Sequence, residues 1–373
     1  MATDRQYVLV LGAGASWDYG LPIGAALLGN IQDMCLEDPS RFGEGRAFAQ
    51  LVNRHFGLSQ QSPNPASLTR DLGHLIQGQI PPSIDRFLGQ PLGPEFLRVP
   101  EIGKLAVAWI IAKSERSEQP DGEPAVRYEA VQANGPQLLG NPWYRAFWQS
   151  LGIRQIEDIE ALIERQSLRV VNFNYDRGFD QFVLNRIRAL CRARGRGEKD
   201  ATEIFSRFPI AHPYGSLGSV LELQYGSYYE PLRAAVKGRD LATLTEPLLD
   251  ALVRMAASLR VVEEQRVEEL EDAFGEARDW MTAADVLVFL GFGFDPTNVT
   301  RLGFPACAKS AGSVYATSYE LGMALRQRVR LDLLRHWDMH SVDSMCHIQD
   351  AHQKWPIAEY LAHYQPFKDL ALR

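Results

Sequence analysis

Val8-Leu9-Val10-Leu11-Gly12-Ala13-Gly14-Ala15-Ser16, followed by Gly20-Leu21-Pro22, reads as a buried strand running into a glycine-rich turn and then a helix. An unbroken apolar run predicts a strand covered on both faces, as in a parallel sheet. Gly12 and Gly14 permit a tight turn and a close backbone approach, and the amides opening the next helix favour an anion there. A dinucleotide pyrophosphate suits that geometry. The same spacing also serves plain strand-to-helix packing, and Trp17 stands where the third glycine of GxGxxG would fall.

Outward from this turn the chain alternates between helix and strand. A helix is expected over Ile23 to Cys35, and residues 41–165 read as a mainly helical insertion. Within it, Ser83 to Leu88 follows Pro81-Pro82 as a capped helix start, and a second helix is expected from Phe96 to Ile111. Lys113 to Gly140 reads as a long flexible loop, and Trp143, Phe147 and Trp148 form a core-facing helical stripe. Strands are then expected at Leu168 to Val171, Phe208 to Ala211, Asp285 to Leu290, Ser313 to Thr317 and His347 to Ala351. Helices are expected at Phe179 to Cys191, through much of 245–283, and at Pro356 to Tyr364. This pattern predicts an α/β fold: a Rossmann-like, doubly wound parallel sheet built from residues 1–40 and 166–373, with ligand across its carboxyl ends.

Composition narrows the partners. The 373 residues are 46% hydrophobic with a net charge of −7, which fits a soluble globular protein and argues against direct nucleic-acid binding. The local run Arg186, Arg188, Arg192, Arg194 and Arg196 reads as a solvated helix end. Cys35, Cys191, Cys307 and Cys346 form no CxxC pair, so a reducing cytoplasm is expected. There is no basic-then-apolar leader, and Ala106 to Ala112 is too short to span a bilayer, so no membrane residence is expected.

Four strand ends carry the chemistry: GAGAS at 12–16, NFNYD at 172–176, HPYGSLG at 212–218 and GFGFD at 291–295. In this order they resemble the SIR2-like family, bacterial relatives of sirtuins, where a GAGxS turn, a TTNYD-like motif, an HG-containing motif and a GxSxxD-like turn surround NAD. Ser83-Ile84-Asp85-Arg86-Phe87-Leu88 resembles a segment common in the bacterial branch. The resemblance covers most of the chain as spaced motifs, with the insertion and C-terminal portion matched loosely. It implies NAD as substrate, cleaved to nicotinamide and ADP-ribose by an oligomeric effector of antiphage defence that answers to a partner such as an ATPase or sensor subunit. Two departures stand out. No paired cysteines could build the sirtuin zinc module, so no structural zinc is expected and peptide deacylation loses ground. Pro22-Ile23-Gly24-Ala25 stands where deacylating sirtuins carry a Phe-Arg pair. A non-catalytic NAD or ADP-ribose sensor remains an alternative, as does an NAD-dependent deacylase, whereas Trp17 disfavours a dehydrogenase.

By resemblance, Asn174 orients the ribose hydroxyls or the water, and Asp176 holds its loop. Without a ligand, both residue types also serve strand ends by bonding their own backbone. The HG histidine, aligned without a gap, falls on Tyr214. A tyrosine (reference pKa about 10) is a poor base near neutrality, whereas a histidine (about 6.5) is suited to it. An extended segment would put His212 and Tyr214 on one face, so His212 is expected to act as base with Tyr214 beside it. Gly12, Ala13, Gly14, Ala15, Ser16, Pro22, Asn172, Gly215 and Ser216 are expected to contact NAD. Gly291, Gly293, Asp295 and Ser318, with Glu320, are expected near its adenosine half. His336, His340, Cys346, His347 and His352 match no familiar zinc spacing and read as helix-surface and turn residues.

Overall fold

The computed structural model describes residues 5–38, 43–57, 64–116, 124, 128–129, 137–138, 143–237, 244–260, 267–307, 311–318, 323–334, 346–349 and 355–370. Six strands make one sheet: β1 (Tyr7–Leu11), β2 (Leu168–Asn172), β3 (Ile210–Ala211), β4 (Val286–Leu290), β5 (Ser313–Ala316) and β6 (Cys346–Ile348). Their spatial order is β3-β2-β1-β4-β5-β6, and every pairing is parallel. That is the Rossmann strand order, with the chain reversing its direction of travel across the sheet at β1. Tyr7 pairs with Leu168 on one side and Val286 on the other, so β1 is central and buried along its whole length. This is why its sequence is uniformly apolar.

Helices cover both faces. Leu9 and Leu11 point into a large core shared with α1 (Gly24–Leu36), α2 (Glu44–Phe56), α3 (Pro65–Gln79), α4 (Ile84–Leu88) and α5 (Val99–Ala112). The same core takes in α6 (Trp143–Ser150), α7 (Ile156–Glu164), α8 (Gly178–Ala193), α9 (Glu198–Ser206), α10 (Tyr229–Val236) and α11 (Glu246–Ala257). Val8 and Val10 point the other way, toward α12 (Val267–Ala283), α13 (Pro296–Arg301) and α14 (Met323–Leu334). The last helix, α15 (Ile357–Tyr364), returns to the first face against α6. No described helix is long and apolar enough to cross a membrane.

The helices of residues 41–165 do not have a core of their own. α3 packs on α1, and α5 packs on α11, which follows β3 in sequence. Trp143 donates its indole N–H to the Ala15 carbonyl at 2.7 Å, and the ring of Tyr144 stacks on Tyr19 at 3.8 Å. The helical layer is thereby fastened to the glycine turn itself.

Most of the expected loop at 113–140 lies outside the described residues; the parts described include a two-residue antiparallel ladder, Tyr128–Glu129 with Gln137–Leu138. Four expected strands are shorter than read: β4 and β5 each lose one end residue, Asp285 and Thr317, and β3 and β6 lose more. Phe208 and Pro209 lie outside β3, since Pro209 has no amide to donate to a ladder, and β6 starts one residue earlier than expected. Ala351 lies outside the described residues.

Arg188, Arg194 and Arg196 of the arginine run pair with carboxylates, while Arg192 and Arg194 are exposed as expected of a solvated helix end. Arg188 bonds Glu198 of α9, and Arg196 bonds Glu160 of α7 at 2.7 Å, with Glu157 also close. Arg194 lies 3.5 Å from Glu157.

Candidate functional site

After β1, residues Ala13–Tyr19 form a 3-10 helix that ends at Gly20, whose φ of 78° is easy only for glycine. The turn was expected to offer its amides to a phosphate. Instead, Gly12 N–H donates to the Leu290 carbonyl at 3.0 Å, Gly14 N–H to the Gly291 carbonyl at 3.0 Å, and Ala15 N–H to the Gly12 carbonyl at 2.9 Å. A Cβ on Gly12 would lie 2.6 Å from the Gly291 carbonyl oxygen, and one on Gly291 would lie 2.1 Å from the Ala15 nitrogen. These glycines are required because the turns after the neighbouring strands β1 and β4 lie backbone against backbone. Ala13 remains exposed at the mouth of this junction.

The end of β2 makes the centre of the site. Asn172 turns the chain by accepting the Asn174 amide on its own side chain at 3.1 Å. Asp176 accepts the Ser16 hydroxyl at 2.6 Å and the Gly178 amide at 2.9 Å, so it ties the β1 turn to the start of α8. Burial raises its carboxyl to about 6, against the lowering effect of those two bonds. Asn174 is 7% exposed, and its Oδ1 has no hydrogen-bond partner among the described residues. A buried acceptor left unpaired costs roughly 1–3 kcal/mol, which a ligand donor would offset.

Ala13, Ser16, Pro22, Asn174 and Asp176 line a cavity of about 90 Å³. Ser83, Ile84 and Asp85 close it from α4, where the Ser83 hydroxyl caps the helix by accepting the Arg86 amide. The Tyr175 hydroxyl donates to the Asp85 carboxylate, and burial lifts the Asp85 carboxyl to about 6.

The end of β3 departs from expectation. Gly215 N–H donates to the His212 carbonyl at 3.0 Å, so His212-Pro213-Tyr214-Gly215 is a tight turn and not an extended segment. Proline fixes the first corner, and Gly215 has a φ of 71°. His212 and Tyr214 therefore part company. Tyr214 is buried among Phe173, Phe274 and the second core; its hydroxyl donates to Asn298, and burial pushes it up to about 12. Such a phenol cannot serve as a base near neutrality.

His212 instead faces a second, open cleft of about 950 Å³, which Gly215 and Ser216 also line. Its Nε2 lies 3.0 Å from Asp180 Oδ1 on α8. Burial alone would lower the His212 pKa, but the Asp180 carboxylate outweighs that and raises it. With Nε2 committed to Asp180, Nδ1 is left as a buried atom with no regular hydrogen bond. The Asn172–Asp176 segment thus separates a small cavity holding Asn174 from a large cleft holding His212.

Past β4, Asp295 caps α13 by accepting the Thr297 amide at 2.8 Å, and Gly293 has nothing within 4 Å of an added Cβ. The Ser318 hydroxyl, expected near a ribose, donates to the Gln349 carbonyl at 2.6 Å and is 3% exposed. It joins β5 to β6. Glu320, His336, His340 and His352 lie outside the described residues. His347 stacks on Tyr315, and burial lowers its pKa. Among the described residues no group of three or more His, Cys, Asp or Glu side chains could hold a metal.

Sequence reasoning singled out neither Asp85 nor Asp180 as a site residue. Each meets its partner from a distance in sequence, Asp85 with Tyr175 and Asp180 with His212, and only the helix-cap pattern of Ser83 marked the first. It also missed the ion pair behind the site, where Arg177 and Glu115 are each 1% exposed. No protein-family model matches the chain, and no curated protein matches it.

Proposed function

We propose that the protein cleaves the nicotinamide-ribose bond of NAD, releasing nicotinamide and ADP-ribose. The observation that carries the reading is Asn174: a buried carboxamide with an unpartnered Oδ1, lining a cavity beside the point where the strand order reverses. Open α/β sheets bind ligands beyond the carboxyl ends of their strands at that point. The cavity of about 90 Å³ is far too small for a dinucleotide, so at most one ring end would enter it, with local widening, and the rest of NAD would extend outward past exposed Ala13.

Cleavage gives the ribose oxocarbenium character, and nicotinamide departs neutral without needing an acid. Asn174 Oδ1 would accept from a ribose hydroxyl or the attacking water and fix its position. Asp176, engaged by Ser16 and Gly178, holds the Asn174 loop in place. His212 lies across the Asn172–Asp176 segment from Asn174, with Nε2 on Asp180 and its ring against the Asn174 backbone, so it would hold that segment in place while the proton passes to water. A role as an antiphage effector working with a partner protein is supported by the four-motif resemblance alone.

Incubating the purified chain with NAD, with and without the proteins encoded beside it, tests the reading. Free nicotinamide supports hydrolysis. Binding without release favours the sensor, hydride exchange favours a dehydrogenase, and release only with an acylated peptide favours a deacylase.

A further inference from the structure

The open cleft of about 950 Å³ lies along β3, the edge strand of the sheet, and shares no lining residue with the small cavity of Asn174. Its volume is that of a small-molecule site. One wall is rich in unused donors. Gly215 (φ 71°) and Gly218 (φ 85°) turn the chain twice in quick succession, and Ser258 to Arg260 run beside that turn. Arg260 N–H donates to the Tyr214 carbonyl at 2.9 Å, and a Cβ on Gly218 would lie 3.9 Å from the Ser258 hydroxyl. The amides of Ser216, Gly218 and Ser219 donate to no acceptor among the described residues, and neither does the Ser216 hydroxyl. The half-buried Arg260 side chain has no carboxylate partner among them either. The wall from α12 is different. Glu276, Asp279 and Trp280 are three and four positions apart, so they share one helix face, and both carboxylates are exposed. The Arg169 guanidinium lies 5.9 Å from the centre of the Trp280 ring, and Phe205 and Ile210 extend the apolar surface. Asp180, the third carboxylate, is already paired with His212.

We infer that this cleft is a second binding site, taking a nucleoside phosphate with its phosphate at the Gly215–Ser219 turn and Arg260 and its base on the Trp280 wall. It stands whether or not the small cavity serves NAD. Successive amides around left-handed glycines make an anion-binding hollow, and a guanidinium adds a charged fork matched to phosphate oxygens. Trp280 and Phe205 offer ring surface to a base, and Glu276 or Asp279 would accept from the vicinal hydroxyls of the ribose. A free phosphate would use the donor wall and leave the aromatic surface wet. A lysine-rich peptide would answer the carboxylates and leave Arg260 and the free amides unanswered. Both α12 carboxylates face water and salt, so they repel a phosphate only weakly.

Calorimetric titration of the full chain with AMP, adenosine, ribose 5-phosphate and tetralysine at neutral pH tests this. AMP is expected to bind most tightly, with adenosine and ribose 5-phosphate each weaker by about tenfold or more and tetralysine not binding. Arg260→Gln should weaken AMP by about tenfold and leave adenosine unchanged. Trp280→Ala should weaken AMP and adenosine alike and spare ribose 5-phosphate. Thermal melts establish that the variants fold. AMP is also half of a NAD molecule, so undiminished AMP binding in folded Arg260→Gln places it outside the cleft and overturns the inference. Absence of AMP binding to the wild type does the same, as does tetralysine binding in preference to AMP, which would make the cleft a surface for a basic partner. If Trp280→Ala fails to fold, Arg260→Gln decides alone, because its loss strands no carboxylate among the described residues.

Discussion

Gly14 N–H donates to the Gly291 carbonyl at 3.0 Å, joining the turns that follow the two central strands. The glycines of the first turn are therefore needed for packing before any ligand is considered. Gly291→Ala would place a Cβ 2.1 Å from the Ala15 nitrogen at a φ of 61°, so it should destabilise the fold by about 2–4 kcal/mol. Gly293→Ala meets nothing within 4 Å and should stay within about 0.5 kcal/mol of wild type. Denaturant unfolding of the two variants checks the contrast, and equal stabilities would contradict the turn-on-turn packing.

Asn174→Ala removes a buried acceptor that has no partner, so the melting temperature should hold while nicotinamide release falls by about 10²-fold or more. A large loss of stability together with activity would show the carboxamide to be structural.

Tyr214→Phe deletes the hydroxyl that donates to Asn298 and should cost about 1–2 kcal/mol of stability with little change in turnover. His212→Ala leaves the largely buried Asp180 carboxylate without its partner and loosens the Asn174 segment, so it should lower both stability and kcat. Steady-state kinetics and thermal melts of both variants read this out; an inactive but stable Tyr214→Phe would return the phenol to the chemistry.

Asp176 has a folded pKa of about 6, against 3.8 as its reference value. A raised carboxyl stabilises the fold most below the reference value, and that contribution is lost as pH rises through about 6. The loss amounts to about 3 kcal/mol at 1.36 kcal/mol per unit. Asp176→Asn cannot titrate, so its stability relative to wild type should rise between pH 4 and pH 7. Calorimetric melts across that range would refute the prediction if the two profiles stayed parallel.

Glu115 accepts from the Arg177 backbone amide at 3.0 Å and from its guanidinium at 3.1 Å, while the same guanidinium bonds the Leu223 carbonyl. Glu115→Ala strands a buried cation and should cost about 3–5 kcal/mol. The double change Glu115→Leu with Arg177→Met should recover much of it. Denaturation midpoints of the single and double variants decide between a charge penalty and simple loss of packing.

The uniformly apolar strand Tyr7–Leu11, the glycine turn after it and the polar ends of later strands were enough to establish an all-parallel, doubly wound sheet. Burial on both faces and the need to turn at each strand end are local demands, and they leave local marks in sequence. The chemistry beyond the sheet did not leave such marks. Alternation in HPYG implied that His212 and Tyr214 share a face, but the Pro213 turn sends the phenol into the aromatic core and the imidazole to Asp180. Likewise, Asp85 reaches the cavity of Asn174 only because α4 folds over the end of β2, and Tyr175 meets it across 90 positions of sequence. Side-chain periodicity reports which face of an element is buried. Which buried face meets which partner depends on contacts distant in sequence, and here the tertiary structure alone decided that.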